Sequence, residues 1–150
     1  MALRMVAPWR IFVTKLLAFS GHMTDLVRHV AEAVDAVLSS EAPCRVLGGA
    51  ARGVDLLVLE GVQARNIATE LVLPYAIGEF CDASVISMSD PDWLVRFNAV
   101  YDRATAVRII PTSGGVHEAL DFELTNRRIL GGLAQGAADG ATARVFGVWD

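Results

Sequence analysis

Short apolar runs alternate with amphipathic stretches along most of this chain, and that alternation restricts the fold more than any single motif does. Residues 11–19 form an apolar run that reads as a buried strand, closed by a turn at Ser20-Gly21-His22. Leu26, Val27, Val30, Ala33, Val34, Val37 and Leu38 then recur at helical spacing, with Thr24 or Asp25 as a cap. Pro43 closes that helix, and Cys44 to Leu47 is the next short run. A second helix over Asp55 to Arg65, with Gly61 allowing close backbone approach, leads to a strand over Ala68 to Leu73 that Pro74 ends. Gly78 to Ser87 is a weaker helical stretch. Asp90-Pro91-Asp92 starts a stronger one carrying Trp93, Phe97, Val100, Tyr101 and Ala104. Ala106 to Ile110 reads as a fourth strand. The spacing of Leu130, Leu133, Ala134, Ala137 and Ala138 is helical, and Arg144 to Val148 is a fifth strand. Strands separated by helices imply right-handed crossovers and a mostly parallel sheet of about five strands, an α/β, Rossmann-like three-layer domain.

Composition bounds the rest. The chain has 150 residues, 53% of them hydrophobic and 20% charged, which suits one domain with a sizeable core. A net charge of −4 argues against non-specific nucleic-acid binding, which needs a positive surface to displace counterions. The two cysteines, Cys44 and Cys81, are too few and too isolated for a disulfide framework or a zinc cage, and each adjoins apolar residues. They read as buried free thiols of a cytoplasmic protein. Arg4, Arg10 and the run 11–20 mimic a secretion signal, but Lys15 interrupts the run and no small-residue cleavage site follows. No run of about 20 apolar residues is present to span a membrane.

In a parallel α/β sheet, ligands bind beyond the carboxyl ends of the strands. The expected ends are Phe19-Ser20-Gly21-His22, Leu47-Gly48-Gly49-Ala50, Leu73-Pro74-Tyr75, Pro111-Thr112-Ser113-Gly114-Gly115 and Val148-Trp149-Asp150. The second is the most informative, because Gly48-Gly49-Ala50-Ala51-Arg52-Gly53-Val54-Asp55 joins a strand to a helix start. Backbone N–H groups, a helix N-terminus and the Arg52 guanidinium together suit a phosphate. The turn departs from the dinucleotide and Walker fingerprints: it has no Gly-x-Gly-x-x-Gly, and the chain's one lysine, Lys15, lies in the first strand.

The same turn also has a purely structural reading, in which the glycines make a tight bend, Asp55 caps a helix and Arg52 is solvated. Asp55 and Glu60 can accept ribose hydroxyls or be ordinary helix charges. His22 fits a ligand contact or a turn histidine bonded to nearby backbone, whereas His29 and His117 read as surface residues. Ser113, His117 and Glu118 lack a nucleophile-elbow sequence, which disfavours a catalytic triad. Trp93, Phe97 and Tyr101 read as a core stripe.

Residues 17–23 (LAFSGHM), 47–55 (LGGAARGVD) with Glu60, 72–75 (VLPY), and Glu79-Phe80 resemble the SLOG superfamily. That group holds Rossmann-like domains related to the cytokinin-activating LOG enzymes and the DNA-processing protein A family. The resemblance continues through Trp93, Arg96-Phe97, residues 126–134 and Trp149-Asp150, and its Arg-Gly-x-Asp turn is the most specific part. It divides the chain into residues 1–16, an N-terminal extension with the start of the first strand, and residues 17–150, a nucleotide-ligand-binding domain. It implies a sensor for a nucleotide or nucleotide-derived signal in bacterial signalling or anti-phage defence. Ligand contacts then fall on Ser20, Gly21, His22, Gly48, Gly49, Arg52, Gly53, Asp55 and Glu60. No catalytic residue, metal or further cofactor is expected, and the partners expected are that small molecule and either a homo-oligomer or an effector domain.

The alternative the resemblance offers is a LOG-like hydrolase that releases the base from a nucleoside monophosphate. The LOG motif Pro-Gly-Gly-x-Gly-Thr-x-x-Glu is followed only loosely by residues 111–118 (PTSGGVHE). A further alternative is an oligomerising assembly domain with a vestigial pocket. The fifth strand runs out at Trp149-Asp150, so a partner or further sequence is expected to complete the pocket.

Overall fold

A computed structural model describes residues 14–21, 27–110 and 118–148. Its strands are β1 (Lys15–Gly21), β2 (Arg45–Gly48), β3 (Ala68–Leu73), β4 (Ala106–Ile109) and β5 (Thr142–Val148). They form one sheet in the order β4-β3-β2-β1-β5, with every neighbouring pair parallel. The helices are α1 (Val27–Glu41), α2 (Val54–Ala64), α3 (Ile77–Phe80), α4 (Asp92–Asp102) and α5 (Glu118–Ala138), and α3 runs on into a π-helical turn, Cys81–Val85. This is the α/β, three-layer, Rossmann-like architecture expected from the alternation.

Alternation along each strand sorts side chains between two faces. Leu17, Phe19, Val46, Leu71 and Leu73 join α1, α2 and α4 in the larger core, which includes Val34, Leu38, Leu56, Leu59, Trp93 and Phe97. Leu16, Ala18, Leu47 and Val72 point the other way and pack against Ile129 and Leu133 of α5. α2 is buried almost all round, at Val54, Leu56, Leu57, Val58, Leu59, Val62 and Gln63, because α1, α4 and the sheet enclose it. Buried Gln63 is satisfied by donating to Thr69 Oγ1 at 3.2 Å and to the Val100 carbonyl at 2.9 Å, tying α2 to β3 and α4.

Several boundaries differ from the sequence reading. Residues 11–13 lie outside the described part, and β1 runs through Ser20 and Gly21, which were expected in the turn. Its neighbour β5 continues the ladder as far as the Gly21–Val148 pair, which holds those residues extended. β5 itself begins at Thr142 rather than Arg144. The weak helix over Gly78 to Ser87 is one α-helical turn followed by the π-helical one. α5 starts well before Leu130 and turns that residue outward, because the stripe facing the sheet is Asp121, Thr125, Ile129 and Leu133.

The cysteines divide. Cys81 is buried, and burial pushes its thiol pKa up, with Asp82 adding to the effect. Cys44 is exposed, not buried, since it lies before β2 at the amino edge of the sheet and donates its Sγ hydrogen to the Lys15 carbonyl. His29 is exposed, as expected. No helix among the described residues is long and apolar enough to cross a membrane.

Candidate functional site at the carboxyl edge of the sheet

From β1 to β4 the chain steps outward one strand at a time with its helices on one face. α5 then carries it back across the other face, placing β5 on the far side of β1. The strand order therefore reverses at β1, which makes the carboxyl ends of β1 and its neighbours the expected ligand crevice. The glycine turn follows β2, immediately beside β1.

Each residue of that turn has a definable job. Gly48 lies against Phe19: a Cβ on it would sit 2.2 Å from the ring, so the absent side chain is what lets β1 and β2 carry that aromatic between them. Phe19 in turn packs on Phe146 of β5, with ring centroids 6.0 Å apart. Gly49 faces the Asp55 carboxylate, which accepts the Ala51 N–H at 3.2 Å and so closes the loop on itself. Gly53 precedes α2 with φ 92° and ψ −130°, a conformation that glycine alone tolerates at little cost. Asp55 belongs to the first turn of α2, and Gly53 occupies the cap position.

Two interactions anchor Arg52. Its backbone N–H donates to the Ser84 carbonyl at 2.9 Å, and its Nη1 donates to the Ile86 carbonyl at 3.1 Å. The π-helical turn thus braces the glycine turn from the side. The guanidinium forms no ion pair with a carboxylate among the described residues, and most of its five N–H donors are left for another acceptor. Among the same residues, the N–H groups of Gly53, Val54 and Asp55 find no acceptor, as a helix's first turn requires.

Burial raises the Asp55 pKa from 3.8 to about 7, with the Ala51 N–H pulling weakly the other way. Near neutral pH this carboxyl is therefore substantially protonated. An anion arriving at the N-terminus of α2 meets less like-charge repulsion than a fully ionised carboxylate would exert.

Glu60 is placed elsewhere. It sits farther along α2 and accepts two hydrogen bonds from Arg96 of α4, the Nε contact at 2.6 Å. Arg96 also lies over the Trp93 ring, 4.4 Å from its centroid. The structure thus groups Gly48, Gly49, Arg52, Gly53 and Asp55 beside the end of β1, where Ser20 and Gly21 lie, and commits Glu60 to a bond between helices. His22 lies outside the described residues, as do Thr24, Asp25, Trp149, Asp150 and the loosely LOG-like residues 111–117 with Ser113 and His117.

One pair at this edge escaped the sequence reading. Tyr75, just beyond β3, donates from its hydroxyl to Asp121 Oδ2 at 2.8 Å, and both residues are buried. Asp121 is on the first turns of α5, where Thr125 Oγ1 donates to its carbonyl at 2.8 Å. The available signal was a carboxylate on the apolar stripe that continues to Ile129 and Leu133, a position where a charge needs a partner. No group of three or more potential metal ligands converges among the described residues. No family model matches this chain, and no curated protein matches it.

Proposed function

We propose that this domain binds a nucleotide or nucleotide-derived signal at the carboxyl edge of its sheet, and acts as a sensor rather than an enzyme. The observation that carries the proposal is the turn from Gly48 to Asp55. There an arginine without a carboxylate partner among the described residues, the open N–H groups of a helix's first turn and an Asp55 about half protonated at neutral pH meet at the end of β2. The phosphate lies against the N–H groups of Gly53 to Asp55 and the Arg52 guanidinium, and the resemblance adds Ser20, Gly21 and His22 as further ligand contacts. Asp55 is the carboxyl nearest the ribose, because Glu60 is engaged by Arg96. The resemblance to the SLOG superfamily supports the nucleotide class of ligand, a cytoplasmic setting in bacterial signalling or defence, and coupling to an effector domain or a second copy.

Thermal shift and calorimetry against AMP, ADP, ADP-ribose and cyclic dinucleotides test this. Stabilisation by at least one of them, lost in Arg52→Ala, is the expected result; no response to any of them, or an equal response in Arg52→Ala, refutes it. Chromatography of the same incubations separates binding from turnover, since release of free base identifies a hydrolase.

A further inference from the structure

The far side of the sheet carries a second, differently built cleft. Among the described residues α5 alone packs on that face, over β1 and β5 in the main, and leaves β3 and β4 largely uncovered on one flank. Between α5 and strands β1 to β4 opens a cleft of about 540 Å³ with Leu16, Leu47 and Val72 in its floor. Four of the chain's arginines line it, Arg45 and Arg108 from the strands and Arg127 and Arg128 from the helix. The chain as a whole has a net charge of −4, so this is a local reversal of sign.

The cleft's acidic groups are already engaged. Glu70, only 7% exposed, lies between Arg108, with which it forms a close ion pair, and Arg45 at 3.9 Å. One carboxylate thus orients two guanidinium groups and leaves a surplus positive charge. Asp139 accepts from Gln135 Nε2 at 3.1 Å. On the helix wall Arg127 pairs with Glu123, while Arg128 forms no ion pair with a described residue. Beside Arg127 and Arg128, Gly131 opens the wall, for a Cβ there would meet nothing within 4 Å. The volume lies in the range of small-ligand pockets, and guanidinium groups on two facing walls suit a molecule with anionic oxygens at both ends.

We infer that this cleft binds a small polyanion of the diphosphate or polycarboxylate kind, independently of the glycine turn. The cleft lies on the face of the sheet that α5 packs against, whereas the glycine turn leads into α2 on the opposite face. The two sites can therefore be separated by mutation.

Calorimetry of the full chain at low salt, with pyrophosphate and with citrate as probes, tests the inference. At least one probe binds, more weakly as salt is added, and its affinity falls about tenfold or more in Arg108→Gln and in Arg128→Glu. The same affinity stays within about twofold in Arg52→Ala. Amide chemical-shift changes in the wild-type chain fall on β4 and residues 127–136, which gives a readout needing no variant. Absence of binding by both probes, unchanged affinity in the two cleft variants, or shifts confined to residues 48–55 overturns the inference. The last of these outcomes assigns the anion to the glycine turn and leaves the proposed function standing.

Discussion

At the scale of single residues, the glycine turn is specified by conformation and by the state of one carboxyl. Gly53→Ala forces a side chain into a positive-φ conformation and is expected to cost about 1–3 kcal/mol, read from urea denaturation. Asp55 makes a prediction with a definite sign. Its pKa rises on folding from 3.8 to about 7, so the folded chain holds a proton that the unfolded chain loses between those values. Its contribution is therefore intact below about pH 4 and is lost as pH rises through about 7. Asp55→Asn keeps an oxygen to accept the Ala51 N–H and removes the ionisation. Relative to wild type, the variant is expected to melt higher at pH 8 and at a similar temperature at pH 4, which paired thermal melts will check. Ionisation of Asp55 also places a charge beside the proposed phosphate, so nucleotide affinity in the wild type should fall between pH 6 and pH 8, and Asp55→Asn should flatten that profile.

Among the elements, α5 shows best how position decides what a residue type is worth. Its glycines look equivalent in sequence, yet a Cβ on Gly136 would lie 2.1 Å from Leu16 Cδ1, while one on Gly131 would meet open space. Gly136 lets the helix settle onto β1, and Gly131 merely weakens it. Gly136→Val is accordingly expected to destabilise the fold by about 1–3 kcal/mol through overpacking, and Gly131→Ala to stabilise it by about 0.5–1 kcal/mol through helix propensity. Denaturant midpoints of the two variants decide this. α2 and α4 depend instead on a polar clamp, Glu60 with Arg96 over Trp93, beside the buried bonds of Gln63.

Across the whole molecule the two faces of the sheet are unequal. Among the described residues, α1, α2 and α4 close one face around a continuous core, and α5 packs on the other over a cluster of six buried apolar residues. A parallel sheet ordinarily buries both faces. Here the flank that no described helix covers presents the exposed Arg45 and Arg108 to water, paired through the buried Glu70, at strand positions that would otherwise be apolar. Local stability should follow this asymmetry. Hydrogen exchange is expected to reach the amides of α5 before those of α2, and an order reversed in that comparison would show that the α5 layer is the more tightly held.

The fold class, the strand count and the glycine turn from Gly48 to Asp55 between a strand and a helix were legible in the sequence, because hydrophobic period and glycine placement act over a few neighbouring residues. What lay beyond reach were relations between residues far apart in the chain. Glu60 could be a ribose ligand or an ordinary helix charge, and only the fold brings Arg96 to it across 36 positions; Cys44 looked buried until the edge of the sheet exposed it. Asp121 showed no role until α5 placed it against Tyr75, 46 positions away. Strand order belongs to the same class. Only tertiary packing sends β5 back beside β1 and sets α5 on the face opposite α1, α2 and α4, and with that it decides where the strand order reverses and which arginines converge. The physical reason is that local sequence sets backbone preference, whereas burial and charge pairing depend on which distant surfaces meet.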